Sequence, residues 1–189
     1  MAHLIAGMTM SLDGYLADER GEFGMLYADL GSPAGEQYLA ASQAETGAVL
    51  MGRRTFDLAD PDSYAVDYEY QVPIVVLTSR PPAVAPRRND RLWVTFAGDV
   101  GEAAATAREL AGERAVTVVG GAQLNRQLID AGLADELRVD VVPVLLGGGM
   151  PLFDAVGPAR LEKFAVDDVG QRTGLRFRVL PREESQRRP

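Results

Sequence analysis

Four short segments of this chain consist almost entirely of apolar and β-branched residues. They read HLIAGMTM, GAVLMG, VPIVVLTSR and AVTVV and begin at residues 3, 47, 72 and 115. A strand that is apolar on both faces is typical of a sheet covered by helices on both sides. Because helical patterns separate these segments, the sequence predicts an α/β fold with a mostly parallel sheet.

The pattern changes after Asp135. The segments ELRVDVVPVLLGG, LEKFAVDDV and TGLRFRVL follow one another with period-two alternation, and turn residues separate the last two. RLWVTFA, from residue 91, adds one more strand before the fourth apolar segment. The sequence therefore predicts antiparallel strands at one edge of the parallel sheet.

Helix signals fill the intervals between the strands. Ser32 and Pro33 form an N-cap and N1 pair that starts a helix reaching about Ala44. Asp99 stands three residues before Glu102, the spacing of a capping box. Further helices are predicted after the glycines at 52 and 121, and residues 60–71 are predicted to be a loop.

Composition excludes several kinds of site. The chain has no cysteine and one histidine, so it cannot form a disulfide, a thiolate nucleophile or a zinc–sulfur centre. No apolar run approaches the roughly 20 residues of a membrane span. A net charge of −8 disfavours nucleic acid as a partner. We expect a cytoplasmic, metal-free protein with one domain over residues 1–181 and a frayed polar tail at 182–189.

The strand ends carry the groups most suited to a ligand, because open α/β sheets bind ligands beyond the carboxyl ends of their strands. Gly120 and Gly121 follow the fourth apolar segment and precede a helix. Glycines let a pyrophosphate approach the backbone, and a helix N-terminus favours an anion. Taken alone, the pair is better explained by a tight strand-to-helix turn.

Two further strand ends offer anion-binding groups. Gly52, Arg53, Arg54 and Thr55 stand at the second strand-to-helix turn, and Thr78, Ser79 and Arg80 end the third apolar segment. An arginine fork suits a phosphate or a carboxylate, and hydroxyl groups beside a guanidinium suit a ribose 2′-phosphate. Each group alone also fits a solvated turn, but three such groups at one end of a sheet predict a nucleotide site.

Two aspartates are candidates for contact with a substrate. Asp13 lies in the loop after the first strand, where a carboxylate could orient or protonate a substrate or close an Asx-turn. Asp60, which precedes Pro61, is either a turn residue or a substrate contact.

These motifs resemble the dihydrofolate-reductase-like family, and more narrowly the reductase domain of the deaminase–reductases of riboflavin biosynthesis. The resemblance rests on TMSLDGYLA, AVLMGRRTFD, PIVVLTSR, VTVVGGAQLNRQLIDAGLADELRV and VVPVLLGGGMPLF, which occur in this order from about His3 to Leu180. It implies a three-layer fold with a twisted, mostly parallel sheet of about eight strands. It also implies a reductase that forms a homodimer through a sheet edge, the strand around Val141–Leu146.

The resemblance further implies NADPH as the hydride donor and assigns residues to it. Gly52, Arg53, Arg54 and Thr55 would approach the phosphates, and Thr78, Ser79 and Arg80 would hold the 2′-phosphate and adenosine. The pyrophosphate and its ribose would contact Gly120, Gly121, Ala122, Gln123 and Leu124, and the nicotinamide would contact Leu16 and Ala17.

The resemblance also implies hydride transfer to a small planar heterocycle of the pteridine, pyrimidine or quinone class. Asp13 is the predicted catalytic residue and Asp60 the predicted substrate contact. Neither Asp29 nor Glu36 fits the helix carboxylate that binds the pterin in true dihydrofolate reductases. Two alternatives remain open: a nucleotide-binding relative without turnover, and a flavin- or deazaflavin-binding protein on the same fold.

Overall fold

The computed structural model describes residues 1–181 and contains one eight-stranded sheet flanked by helices. The strands are β1 (Leu4–Ser11), β2 (Tyr15–Ala17), β3 (Thr46–Gly52), β4 (Ile74–Leu77), β5 (Val94–Ala97), β6 (Ala115–Val118), β7 (Glu136–Val142), β8 (Met150–Pro151), β9 (Leu161–Val169) and β10 (Arg172–Val179). The helices are α1 (Pro33–Glu45), α2 (Arg53–Phe56), α3 (Tyr64–Asp67), α4 (Val100–Ala111) and α5 (Ala122–Asp130), with a 3₁₀ turn at Gly24–Leu26. The predicted frayed tail, residues 182–189, lies outside the described residues.

The strand order of the main sheet is β5-β4-β3-β6-β1-β7-β10-β9. The strands from β5 to β7 pair in parallel, whereas β10 runs antiparallel to both β7 and β9. This arrangement confirms the predicted mostly parallel sheet with an antiparallel C-terminal edge. As a result, the carboxyl ends of β4, β3, β6 and β1 lie side by side at one end of the sheet.

Alternation along β3 explains why both faces of the sheet are covered. Ala48 and Leu50 are fully buried against the alanine-rich side of α4 and against α5. Val49 and Met51 are buried on the opposite face, where residues of α1, α2 and α3 pack. The three-layer prediction is confirmed, and none of the helices within residues 1–181 is long and apolar enough to cross a membrane.

The predicted helix starts are confirmed in detail. The Ser32 hydroxyl accepts a hydrogen bond from the amide of Gly35 at 3.1 Å, and α1 then continues to Glu45. The Asp99 carboxylate accepts the amide of Glu102 at 2.9 Å at the start of α4. Both caps satisfy backbone N–H groups that have no partner inside their helix.

Three local predictions are wrong. The predicted loop over residues 60–71 contains the short helix α3, and the first loop contains β2, which pairs with β8 in a separate two-stranded sheet. Strand β7 lies between β1 and β10, so Val141 is not at a sheet edge, and Pro143 already follows the end of β7. The homodimer itself stays a prediction.

Candidate active site

The turns after β3, β4 and β6 contact one another at the carboxyl end of the sheet. The amide of Gly52 donates to the carbonyl of Gly120 at 3.3 Å, and the guanidinium of Arg53 donates to the carbonyl of Arg80. The structure therefore brings together three of the predicted segments. We call Gly52–Thr55, Thr78–Arg80 and Gly120–Leu124 together the cofactor edge.

Gly120 is the most constrained position of the cofactor edge. Its φ is +70°, and the peptide bond that joins it to Gly121 is cis. A Cβ atom at position 120 would lie 2.6 Å from Oγ1 of Thr55, well inside van der Waals contact. Glycine is therefore required here both by backbone conformation and by the close approach of α2.

The cofactor edge presents unpaired donors suited to an anion. No side chain of residues 1–181 caps the N-terminus of α5 at Gly121, which leaves the first amides of that helix open to a ligand. Arg54 and Arg80 are exposed, and neither forms an ion pair within the described part of the chain. Arg53 differs, because Asp57 binds its guanidinium at 2.8 Å. Arg54 and Arg80 are thus the arginines available for phosphate.

The segment after β4 has the geometry of a short hydroxyl turn. The amide of Arg80 donates to Oγ1 of Thr78 at 3.1 Å, which leaves the hydroxyl hydrogen of Thr78 available to a ligand. Ser79 is exposed beside it. Their role as 2′-phosphate contacts stays a prediction.

Three residues predicted to contact the cofactor have buried side chains. Leu16 is 6% exposed, Ala17 6% and Leu124 3%, and Leu16 and Leu124 belong to the hydrophobic core. These three residues therefore present little surface to a cofactor, and their contacts with it stay predictions. Gln123 is exposed at the start of α5, as expected for a residue facing a ligand.

The sheet opens between β1 and β6. Their pairing ends at Ile5 and Thr117, although β1 continues beside β7 as far as Ser11. In the opening, the buried side chain of Asn125 accepts the amide of Gly7 at 2.9 Å and donates to the carbonyls of Gly7 and Gly121 at 3.4 and 3.3 Å. Asn125 thus satisfies backbone groups that the missing strand pairing would leave exposed.

Asn125 was not found by sequence reasoning. The available signal was an amide side chain directly after Leu124, on a helix with a clear apolar face. Gly7, a glycine inside an apolar strand, was a second signal in the sequence. The structure explains it, because a Cβ atom at position 7 would lie 1.8 Å from the carbonyl oxygen of Arg138.

A cleft of about 220 Å³ lies beside this opening, between the sheet and α1. We call it the ring cleft. Its walls come from β1, β6, β7, α1, the start of β10 and the segments around Tyr27 and Tyr70. Gly120 lines the ring cleft and also belongs to the cofactor edge, so the two sites meet at this residue.

A fully buried arginine, Arg172, organises the floor of the ring cleft. Its guanidinium donates to both carboxylate oxygens of Asp29 at 2.8 and 3.0 Å, to Asp140 at 3.1 Å, to the Thr9 hydroxyl at 2.8 Å and to the carbonyl of Leu26 at 2.8 Å. These five bonds match the five N–H groups of the side chain. Asp29 is therefore occupied by an arginine and is not a free carboxylate for a pterin.

Asp140 joins this network to α1. Tyr38 donates its hydroxyl to Asp140 at 2.8 Å, on the side of the carboxylate opposite Arg172. Burial raises the pKa of Asp140, and the bonds from Tyr38 and Arg172 oppose that rise. Burial also raises the pKa of Tyr38 above its usual range. In both of these hydrogen bonds the carboxylate of Asp140 is the acceptor.

The predicted catalytic residue, Asp13, connects two loops. Its carboxylate accepts the Ser11 hydroxyl at 2.6 Å and the amides of Leu146 and Gly147 at 3.2 and 2.8 Å. The bond from Ser11 and these amides lower the pKa of Asp13. A carboxylate held ionised in this way is suited to fixing the first loop against the β7–β8 loop, and less suited to donating a proton.

Asp60, the predicted substrate contact, lies in a turn. Its carboxylate accepts the amide of Asp62 at 3.0 Å, and its carbonyl accepts the amide and hydroxyl of Ser63 at 2.9 and 2.7 Å. It does not line the ring cleft. The role of Asp60 as a substrate contact therefore stays a prediction. Within residues 1–181, no group of three or more His, Asp or Glu side chains is placed to hold a metal ion.

The chain is similar to proteins of known family. The model of the RibD C-terminal domain matches residues 2–175. The uncharacterized protein YwjB of Bacillus subtilis (strain 168) is 27% identical over 173 residues, covering 90% of this chain and 94% of that protein.

Solved structures show the same fold. A Shewanella sp. PV-4 protein assigned to riboflavin biosynthesis has a TM-score of 0.75 at 24% identity, over 96% of this chain and 100% of that one. The diaminohydroxyphosphoribosylaminopyrimidine deaminase/5-amino-6-(5-phosphoribosylamino)uracil reductase of Thermotoga maritima has a TM-score of 0.68 at 18% identity, over 95% of this chain but only 57% of that one. Enterococcus faecalis dihydrofolate reductase, complexed with NADP(H), has a TM-score of 0.59 at 16% identity, over 94% and 96%.

The family match covers nearly the whole described part of the chain and confirms the resemblance seen in its motifs. The chain therefore belongs to the RibD C-terminal domain family, and it is a reductase-type enzyme with a dihydrofolate-reductase-like fold.

Proposed function

We propose that this chain is an NADPH-dependent reductase that delivers a hydride to a small planar heterocycle, with a pyrimidine as the leading class. The observation that carries the proposal is the position of Gly120, which borders both the cofactor edge and the ring cleft. A ligand lying along the cofactor edge reaches the cleft at this residue. Hydride transfer requires such van der Waals proximity between donor and acceptor.

The residues of the cofactor edge fit NADPH. The uncapped N-terminus of α5 and the close-packed Gly120 turn suit a pyrophosphate, and Arg80 with Thr78 suits a ribose 2′-phosphate. The similarity to a dihydrofolate reductase solved with NADP(H) supports the same assignment. Bound NADPH supplies two electrons as a hydride to the carbon of a C=N or C=C bond. A proton taken up at the neighbouring atom completes the addition.

The residues of the ring cleft bind and orient the acceptor. Tyr27, Tyr38 and Tyr70 line the cleft and offer aromatic surfaces for a planar ring. Hydrogen bonds from Tyr38 and Arg172 fix the carboxylate of Asp140, whose oxygen atoms serve as hydrogen-bond acceptors at the floor of the ring cleft. A ring that carries N–H groups, as oxo- and aminopyrimidines do, would find both packing and acceptors there.

The test of the cofactor assignment compares NADPH with NADH on Arg80→Ala. We expect wild-type protein to bind NADPH more tightly than NADH, and Arg80→Ala to lose about tenfold in NADPH affinity with little change for NADH. The reason is that charge-assisted bonds to the 2′-phosphate disappear. Thermal shift and calorimetric titration measure both affinities.

Arg114→Ala is the matched control for this comparison. Arg114 is also exposed and lacks an ion-pair partner within residues 1–181, but it lies at the turn before β6, at the amino end of that strand. It should retain the wild-type preference. Equal binding of NADPH and NADH by the wild type, or the same loss in both variants, would contradict the role of Arg80.

Asp13→Asn tests the contribution of the first loop to turnover. We expect roughly a tenfold lower kcat with nearly unchanged NADPH affinity, because an amide replaces one of the two oxygens that hold the loops together. Steady-state kinetics and cofactor titration separate the two quantities. If Asp13→Asn instead lost cofactor binding, the proposed positioning role would be wrong.

A further inference from the structure

We infer that the acceptor bound in the ring cleft carries no phosphate group. This inference rests on the proposed reductase function and deepens it by restricting the class of substrate. It comes from the charges around the cleft and from the partners that already neutralise its arginines.

The two arginines that line the ring cleft are both occupied. All five donors of Arg172 are bound, and two of its partners are the carboxylates of Asp29 and Asp140. The guanidinium of Arg138 is bound by the carboxylates of Glu45 and Glu136. Each arginine thus faces two carboxylates and carries no free fork for a phosphate, which is usually bound by such bidentate donors.

One further carboxylate at the cleft is unpaired. Glu69 lines the ring cleft, is exposed, and has no hydrogen bond or ion pair with any other described residue. The cleft and its immediate ion-pair partners therefore hold five carboxylates against two guanidinium groups. A phosphate brings a further charge of about −1.5 to −2. Repulsion between like charges would disfavour a phosphorylated acceptor at this place.

The remaining walls favour an uncharged ring. Tyr27, Tyr38 and Tyr70 stand with apolar residues of β1 and β6, including Ile5 and Val118. The volume of about 220 Å³ is below the roughly 300–1,000 Å³ of pockets for drug-sized ligands. One or two fused rings with a short polar substituent fit such a space.

This conclusion distinguishes the chain from the Thermotoga maritima protein, whose name specifies a phosphoribosyl substrate. The exposed unpaired arginines Arg54 and Arg80 do not compensate, because they belong to the cofactor edge. If NADPH binds as proposed, its own phosphates occupy them.

The test uses a matched pair of probes, 5-amino-6-ribosylaminouracil and its 5′-phosphate, titrated by calorimetry into wild-type protein both without cofactor and with saturating NADP⁺, which cannot donate a hydride. We expect the unphosphorylated probe to bind at least about tenfold more tightly. Glu69→Gln removes the unpaired carboxylate and should reduce the ratio of the two dissociation constants by a factor of about 3. Glu113→Gln is the control, because Glu113 is exposed and unpaired among the described residues but lies before β6, away from the cleft. Glu113→Gln should leave the ratio of the two dissociation constants unchanged.

Three results would overturn the inference: tighter or equal binding of the phosphorylated probe, no binding of either probe, or the same effect of Glu69→Gln and Glu113→Gln. None of these depends on the cofactor assignment, which fails separately if NADPH does not bind. The two proposals can therefore be distinguished in a single series of titrations.

Discussion

Replacing Gly120 with alanine is expected to weaken NADPH binding by at least about 100-fold. The φ of +70° disfavours any side chain, and a Cβ atom would lie 2.6 Å from Oγ1 of Thr55. Relief of that overlap must move α2 or the glycine turn, and either movement displaces donors that the proposal assigns to the pyrophosphate. Left-handed backbone alone costs roughly 1–2 kcal/mol for a non-glycine residue, and the overlap with Thr55 adds to this cost.

Gly112→Ala is the matched control for this prediction. Gly112 has a similar φ of +63° at the end of α4, but its Cβ would meet no atom within 4 Å. The two variants therefore both place a side chain at a positive φ, and they differ in the overlap and in the location. We expect Gly112→Ala to lose about 1–3 kcal/mol of folding free energy and to retain wild-type affinity for NADPH. Calorimetric titration measures the affinity, and chemical unfolding measures the stability.

Wild-type affinity in folded Gly120→Ala would show that the turn does not contact the cofactor.

The second large effect is expected for Arg172→Met, which should lower the free energy of unfolding by about 3–5 kcal/mol. Removing one partner of a buried ion pair leaves the other charge without compensation, and here two carboxylates, Asp29 and Asp140, lose the same arginine. Arg176→Met on the same strand is the control. Arg176 is partly exposed and, among residues 1–181, its one ion-pair partner is Asp167, so its loss should cost about 0–1 kcal/mol.

The loss of unfolding free energy caused by Arg172→Met is expected to depend on pH. Without the guanidinium, burial raises the folded-state pKa of Asp140, and of Asp29, above the unfolded value near 3.9. Protonation in the folded state then adds stability that is fully present below about pH 4 and is lost as pH rises through the folded pKa. The free energy of unfolding of Arg172→Met should therefore lie closer to that of the wild type at pH 5 than at pH 7.5. Equal costs for Arg172→Met and Arg176→Met, at either pH, would contradict the network as described.

The parts of the fold that were predicted from sequence are those with local signals. The covered strands are short runs of β-branched residues, and Ser32 and Asp99 mark helix starts that depend only on neighbouring backbone groups. The cofactor edge was predictable for a related reason. Parallel strands place their carboxyl ends together, so the turns beginning at Gly52, Thr78 and Gly120 had to meet once the strands were assigned.

The floor of the ring cleft could not be predicted in this way. Arg172 lies 163 residues from Thr9 and 143 residues from Asp29, and no spacing relates them. Their contact depends on the antiparallel pairing of β10 with β7. The sequence predicted only that antiparallel strands lie at one edge of the sheet, without their order. The contacts of Asp13 with the β7–β8 loop could not be predicted for the same reason, because its partners at positions 146 and 147 follow β7.

The most direct test of the proposed reduction follows the hydride itself. NADPH deuterated at the transferable position of its nicotinamide would be incubated with the protein and with both 5-amino-6-ribosylaminouracil and its 5′-phosphate. Mass spectrometry would then locate the label. We predict substrate-dependent oxidation of NADPH, with one deuterium in the reduced product for each cofactor consumed. Binding of NADPH without oxidation, or an unlabelled product, would contradict hydride transfer between the cofactor edge and the ring cleft.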